Sequence, residues 1–463
     1  MTDAVAPAEG VATIEAQPEH HGITPVSKGY GRYALWLLMI IYTLNFLDRQ
    51  VVNILAEPIK RELGLADWQL GMLTGLAFAF LYTILGIPIA RLAERKNRPL
   101  IISASVAVWS LFTVFSGFAQ NFVQLLLARV GVGIGEAGCT PPAHSLISDY
   151  VPKEKRASAI AFYSIGTPLG ALIGMSMGGL IADAHGWRAA FLVAGAPGLI
   201  LAVVVALTLV EPRKKLSAAL AAKAAADNPT FMAVLAVLRN KKTFWLLAFG
   251  VAIKAFIGYG QQPFVASFFL RVHNAQLTEL AAKASDILGF ELGTLGFVAL
   301  MLSGLSGIGG IFGVWLGGYL ADKLGAKDIR AYAVVPALAA ILPIPFYIFG
   351  VLHADALFAL LFLVIPAVLT SLWYGPVYAT AQSIVEPRMR ATMAAILLLI
   401  ANLIGLGLGP VIVGALSDIF SGPMGMGSAE GIRWALVTSS LLGLVAFALF
   451  WSARKTIKDD IVS

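Results

Sequence analysis

The chain has 463 residues, of which 58% are hydrophobic and only 13% charged. Soluble globular proteins carry about 25% charged residues, so this composition excludes a soluble core and implies a polytopic membrane protein. A formal net charge of +7 would suit a nucleic-acid partner, but the placement of the basic residues argues for no nucleic acid.

Residues 1–28 mix Pro, Ala, Glu and His without the charged-then-apolar order of a signal peptide, and are expected to be a disordered cytoplasmic tail. His20 and His21, adjacent in a tail, do not make a metal site. Apolar windows long enough to cross a bilayer, about 20 residues each, then predict twelve helices. Their approximate limits are 31–56, 68–92, 99–119, 121–149, 156–182, 188–209, 243–270, 293–320, 329–350, 355–384, 391–417 and 432–453. The expected organisation is a six-helix bundle over 29–210, a cytoplasmic linker over 211–242 with a weak amphipathic run near Phe231–Leu238, a second bundle over 243–455 and a short tail over 456–463.

The first apolar stretch contains Asp48 and Arg49 side by side. Each charge at membrane depth costs about 2.5–3.5 kcal/mol on insertion scales. Such residues persist where they face protein or a water-filled cavity, and the two read first as each other's partner. The fourth helix carries Arg129, Gly133, Glu136, Thr140 and His144 at spacings that place them near one face. Arg129 and Glu136 are about 10 Å apart along the axis, too far for direct contact but able to flank one polar pocket. The seventh helix carries Lys254, followed by Gly258-Tyr259-Gly260-Gln261-Gln262-Pro263, where Gly and Pro are expected to interrupt the helix. The tenth supplies Trp373, Tyr374, Tyr378 and Gln382. Glycine-rich runs in the fifth, eighth and eleventh helices read as close packing. Gly133-x-Gly135-x-x-Gly138 matches a dinucleotide fingerprint but lies inside an apolar helix, without the strand such a site needs. No phosphate-cradling loop ending in Lys-Ser/Thr is present, which argues against an ATP-driven pump. Neither cofactor nor metal is expected, nor an enzymatic reaction, and Cys139 alone permits no intrachain disulfide.

Lys and Arg fix the expected orientation. With both termini inside, only Lys60, Arg61, Arg188, Arg271, Lys283 and Arg433 fall in outer loops, and most of the 33 basic residues fall within. The two halves also repeat. Ala90 to Asn97 after the second helix matches Gly318 to Gly325 after the eighth. Gly179-x-x-x-Asp183 matches Gly414-x-x-x-Asp418, and Gly186-Trp187-Arg188 matches Gly431-Ile432-Arg433-Trp434. Parallel six-helix repeats imply a substrate site between them near the midplane, with one half rocking against the other.

Over residues 30–455 the sequence resembles the major facilitator superfamily. Gly318 to Lys327 is similar to its loop motif G-x-x-x-D-[RK]-x-G-[RK]-[RK], while the first copy departs from it at Ala90, Glu94 and Asn97. The resemblance implies a cytoplasmic gate latch built from Glu94, Arg95, Arg156, Asp322, Lys323 and Arg390. Within the superfamily, Asn45-Phe46-Leu47-Asp48-Arg49, Gly133 to Ala137 and Pro142 to Asp149 resemble the Spinster-like subfamily, whose members are associated with lysophospholipids and sphingosine phosphate. The facilitator fold would line its cavity with the first, fourth, seventh and tenth helices. That implies proton coupling by Asp48 or Glu136, and substrate binding by Arg49, Arg129, Asn45, Lys254, Tyr259, Gln262, Trp373 and Tyr378. Phe256, Phe264 and Phe268 would add apolar walls. The expected function is proton-coupled transport of a lysolipid-like amphiphile by a monomer in the plasma membrane, the inner membrane in a bacterium. The Asp-Arg pair and the Arg-(x)6-Glu spacing also occur in organic anion:cation symporters, so a small carboxylate is the alternative substrate. A receptor or scaffold of the same fold is the alternative from a different class.

Overall fold

The computed structural model describes residues 27–152, 155–213 and 230–461. Residues 1–26 and 214–229, half of the linker, lie outside them, and Phe231–Arg239 forms a short helix where an amphipathic run was expected. Among the described residues, eleven helical stretches are long and apolar enough to cross a membrane. They are α1 (Lys28–Ile54), α2 (Asp67–Ala93), α3 (Arg98–Ser116), α4 (Phe122–Tyr150), a 51-residue stretch Ser158–Thr208, α7 (Lys242–Val272), α8 (Thr294–Gly325), α9 (Ala331–Leu352), α10 (Ala356–Ser383), α11 (Thr392–Ser421) and α12 (Gly427–Asp460). The 51-residue stretch is two helices, because Gly186 turns the chain at φ 80°, ψ 162°. Such a φ suits glycine alone, and it separates α5 (158–185) from α6 (187–208). The twelve helices expected from hydropathy are thus present.

Side chains of the chain itself start several of these helices. Ser27, Asn97 and Asn121 accept hydrogen bonds from the first-turn amides of α1, α3 and α4, and Asp355 does so for α10. The bundle exposes apolar side chains on its flanks and keeps its mid-span charges inside. Leu207 and Ile200 are 80% and 68% exposed, while Asp48, Arg129 and Glu136 are at most 2% exposed. That inversion is what a hydrocarbon surround selects, since only protein or enclosed water can satisfy the charges.

The fourth helix of each half is broken at the same place. Residues 137–139 form a turn inside α4, directly after Glu136, and residues 370–373 form one inside α10. By contrast, the interruption expected around Gly258–Pro263 is absent: α7 runs unbroken through Pro263. The proline's missing N–H leaves only the Tyr259 carbonyl without a helical partner.

Hydrogen bonds and ion pairs between the halves lie from mid-depth to the face away from the termini, here called the distal face. Gln262 donates to Gln50 (2.9 Å), and Ser176 meets Ser303 (2.8 Å). Farther out, Arg271 pairs with Glu57 (2.7 Å) and Asp67 (2.8 Å). One apolar cluster, including Val51, Phe264, Val298 and Val413, joins both halves at that level. Among the described residues no hydrogen bond or ion pair joins the halves nearer the terminal face. The halves are thus bonded to each other distally and, among the described residues, not on the terminal side.

At the terminal face the first half carries its own staple. Arg98, 1% exposed, binds Glu211 through backbone and guanidinium, and binds Asp149 at 2.6 Å. Burial pushes the Glu211 carboxyl up, but the Arg98 hydrogen bonds outweigh it and hold the group below its ordinary value. A lowered carboxyl pKa means that the stabilisation is complete above about pH 4.3 and fades as pH falls through the lowered value. Glu211→Gln is therefore expected to lower the melting temperature at neutral pH, with the gap to the parent protein narrowing below about pH 4. Melting curves of both proteins across that range check this.

Candidate functional site

Asp48 and Arg49 follow each other on α1 and point about 100° apart. They do not pair with each other. Arg49 turns towards α4 and holds Glu136, with Nε at 2.7 Å and Nη2 at 2.6 Å from Oε2. Asp48 turns towards α3 and α4, accepting from Thr113 Oγ1 (2.8 Å) and from Arg129 Nη1 (3.4 Å). The pairing is crossed, and it ties α1 to α4 twice.

The two pairs differ in what remains open. Both Asp48 oxygens have partners. Glu136 Oε1 is buried with no hydrogen-bond partner, as is Arg129 Nε. The Arg49 side chain is 15% exposed and that of Glu136 is fully buried. Aromatic rings of Phe78 (4.5 Å), Tyr82 (4.7 Å) and Phe46 (5.1 Å) surround the Arg49 guanidinium, an arrangement that favours a cation. Arg49 and Arg129 border a niche of about 30 Å³ with Gln50 and Asn53, room for about one water.

Tyr259 and Gln262 of α7 form the other wall of this niche and also line a second, larger space. That cavity, about 360 Å³, lies mostly in the second half between α7, α8, α9 and α10. Its size falls within the range of about 300–1,000 Å³ typical of ligand pockets. Trp373 stacks on Tyr374 at 3.9 Å, and both line it, placing Trp373 at the cavity. Lys254 also lines it, 6% exposed, donating to the Ala339 carbonyl at 3.3 Å.

Several expected residues lie elsewhere. Asn45 is buried and borders neither space, and Tyr378 packs against the core of the second half. Phe256, Phe264 and Phe268 point into the apolar cluster that joins the halves. His144, beyond the break in α4, lies edge-on to Tyr163 at 5.3 Å. On the terminal face, Asp322 accepts from Tyr332 (2.8 Å), and Lys323 lies 5.4 Å from the Tyr319 ring. Arg390 donates to the Gln382 carbonyl and Arg156 to that of Val151. The structure therefore brings Asp322 neither to Arg390 of its own half nor to Arg156 of the other half. The side chains of Glu94 and Arg95 lie outside those described. Gln50, Asn53, Thr113 and Tyr347 were missed. Gln50 and Asn53, polar within a turn of Arg49, could have been found by the same argument that singled out Asp48.

The sequence model of the Major Facilitator Superfamily matches residues 38–406. An MFS-type efflux pump of Mycolicibacterium smegmatis is 31% identical over 429 residues, covering 93% of this chain and 94% of that protein. Human protein spinster homolog 1 is 26% identical over 466 residues, 96% of this chain and 85% of that protein. A crystal structure of a bacterial homologue of the human lysosomal transporter Spinster, inward-facing and unoccupied, superposes with a TM-score of 0.82 at 34% identity. It covers 95% of this chain and all of that one. The chain belongs to the major facilitator superfamily and is a Spinster-like, multi-pass membrane transporter of small molecules.

Proposed function

We propose that the protein is a proton-coupled transporter of a single-chain amphiphile with an anionic head, of lysolipid or sphingosine-phosphate type, working as a monomer by alternating access. The observation that carries this is the junction of two unlike spaces through Tyr259 and Gln262: a cationic niche at Arg49 and Arg129, and an apolar, aromatic cavity beside it. A guanidinium offers fork-like hydrogen bonds to phosphate or carboxylate, and the neighbouring cavity takes an acyl chain. Lys254, the cation within that cavity, would meet a second polar group of the ligand.

Glu136 is the better candidate for the coupling proton than Asp48. Its free oxygen can take a proton without first losing a hydrogen bond. Protonation would weaken its hold on Arg49 and release the guanidinium for an anionic head. Ligand affinity should then rise as pH falls. The basic loops favour termini and a 211–242 linker in the cytoplasm, and on that reading the state described is inward-facing. On this reading Asp322, held by Tyr332 and not by Arg156, belongs to a cytoplasmic latch that would close in the opposite state.

Binding to the native state raises apparent stability. In a thermal-shift series, lysophosphatidic acid and sphingosine phosphate are expected to raise the melting temperature more than short carboxylates. Equal shifts with acetate-sized or sugar-acid anions, and none with the lipids, would favour the small-anion symporter instead.

A further inference from the structure

The repeated Gly-x-x-x-Asp segments have no part in the site, yet each ends at a seam between the halves. At the distal end of α11, Asp418 accepts from the first amides of α2: Asp67 N at 3.0 Å and Trp68 N at 2.8 Å. At the distal end of α5, Asp183 accepts from Gly296 N, in the first turn of α8, at 2.5 Å. One aspartate belongs to the second half and caps a helix of the first. The other belongs to the first half and caps a helix of the second. The glycine one turn earlier permits each approach. A Cβ on Gly414 would lie 2.3 Å from the Asp67 carbonyl oxygen, and one on Gly179 would lie 2.2 Å from Ala299 Cβ. Glycine brings the helices together, and the next turn supplies the cap.

We propose that Asp183 and Asp418 are a pseudo-symmetric pair of distal latches, made only while the distal face is closed. A helix N-terminus carries unsatisfied amides and partial positive charge. A carboxylate from the opposite half satisfies them in the closed state and returns to water when the halves part. Each latch therefore adds directly to the closed-to-open ratio. The α2–α11 seam has further support, because Asp67 also binds Arg271, Lys60 and Ser417. Among the described residues Asp183 has no ion pair, so its cap is the more direct test. The inference rests on alternating access but not on the lipid or the proton.

The test is a distance distribution from double electron–electron resonance in nanodiscs without ligand. Spin labels at Phe118→Cys and Met424→Cys, exposed distal sites of the two halves at 62% and 57%, are read in a Cys139→Ala background. Loss of one cap is worth roughly a fivefold change in population. Asp183→Ala and Asp418→Ala should each raise the long-distance population about that much. The pair together should raise it about twentyfold or more, since the sites share no partner. Asparagine also caps, so Asp183→Asn should stay near the parent. Asp418→Asn, with one acceptor oxygen for two amides, should fall between parent and alanine. Gly414→Ala, which obstructs the same seam without touching the carboxylate, should also favour the long distance. Two populations in the parent, unmoved in every alanine variant that melts normally, would overturn the latch alone. A single distance in all proteins would overturn the latch together with the rocking on which it rests.

Discussion

Glu136→Gln protein in liposomes is expected to bind its ligand and yet fail to accumulate it, losing at least tenfold in pH-driven transport. The glutamine keeps the shape and a carbonyl acceptor for Arg49, but carries no exchangeable acid proton. Arg49 would then be held only by a neutral, weaker acceptor and so be more available to an anionic head. Affinity should match or exceed that of the parent at neutral pH and lose its rise at acid pH. Asp48→Asn should behave differently. Asp48 already has both oxygens bound, by Thr113 and Arg129, and its substitution should lower stability while leaving uphill transport pH-dependent. Equilibrium binding from pH 5 to 8 and gradient-driven uptake, measured on both variants, separate the roles. Uphill transport by Glu136→Gln with a normal pH profile would reduce the four charges to a packing network.

Removing Arg49 should have the second large effect. Arg49→Ala is expected to weaken an anionic amphiphile about ten- to hundredfold, the worth of a charge-assisted hydrogen-bonded pair. An uncharged ligand of the same chain length should bind almost unchanged. The variant also strands the Glu136 carboxylate in a buried site, which costs about 3–5 kcal/mol for a broken buried pair. Adding Glu136→Gln should recover stability but not affinity. Arg49→Lys should recover only part of the affinity, because an ammonium lacks the guanidinium fork. Competition binding with charged and neutral lipids, alongside melting temperatures, distinguishes the two effects. Equal loss for both lipids would assign Arg49 to packing alone.

Residue types carried the twelve spans and the two halves, because apolar length and repeated turns depend on local sequence. They also brought Asp48, Arg49, Arg129 and Glu136 together, since charges within two apolar spans have few other places to go. The crossed pairing was not legible in the chain. It depends on how far α1 is rotated against α3 and α4, and Thr113 gives no hint in sequence that it will meet Asp48. Phe256, Phe264 and Phe268 share α7 with Tyr259 and Gln262, yet face the seam and not the cavity; a helix apolar on every side conceals which face it buries. The distal ion pairs were missed for another reason. Glu57 and Arg271 stand more than two hundred positions apart in the chain, and only the closing of the halves makes them neighbours. The break in α4 was hidden by a helical pattern that continues through Pro141 and Pro142, residues tolerated in the first turn of the segment that follows.

The most direct measurement of the central claim is gradient-driven movement of a fluorescent lysophospholipid in proteoliposomes, with albumin back-extraction reporting the leaflet it occupies. The account predicts accumulation in one leaflet above the equilibrium distribution when a pH gradient is imposed. It should collapse with a protonophore, be absent from protein-free vesicles and be lost in Glu136→Gln. A distribution that stays at equilibrium whatever the gradient, with the parent protein folded and reconstituted, would contradict it.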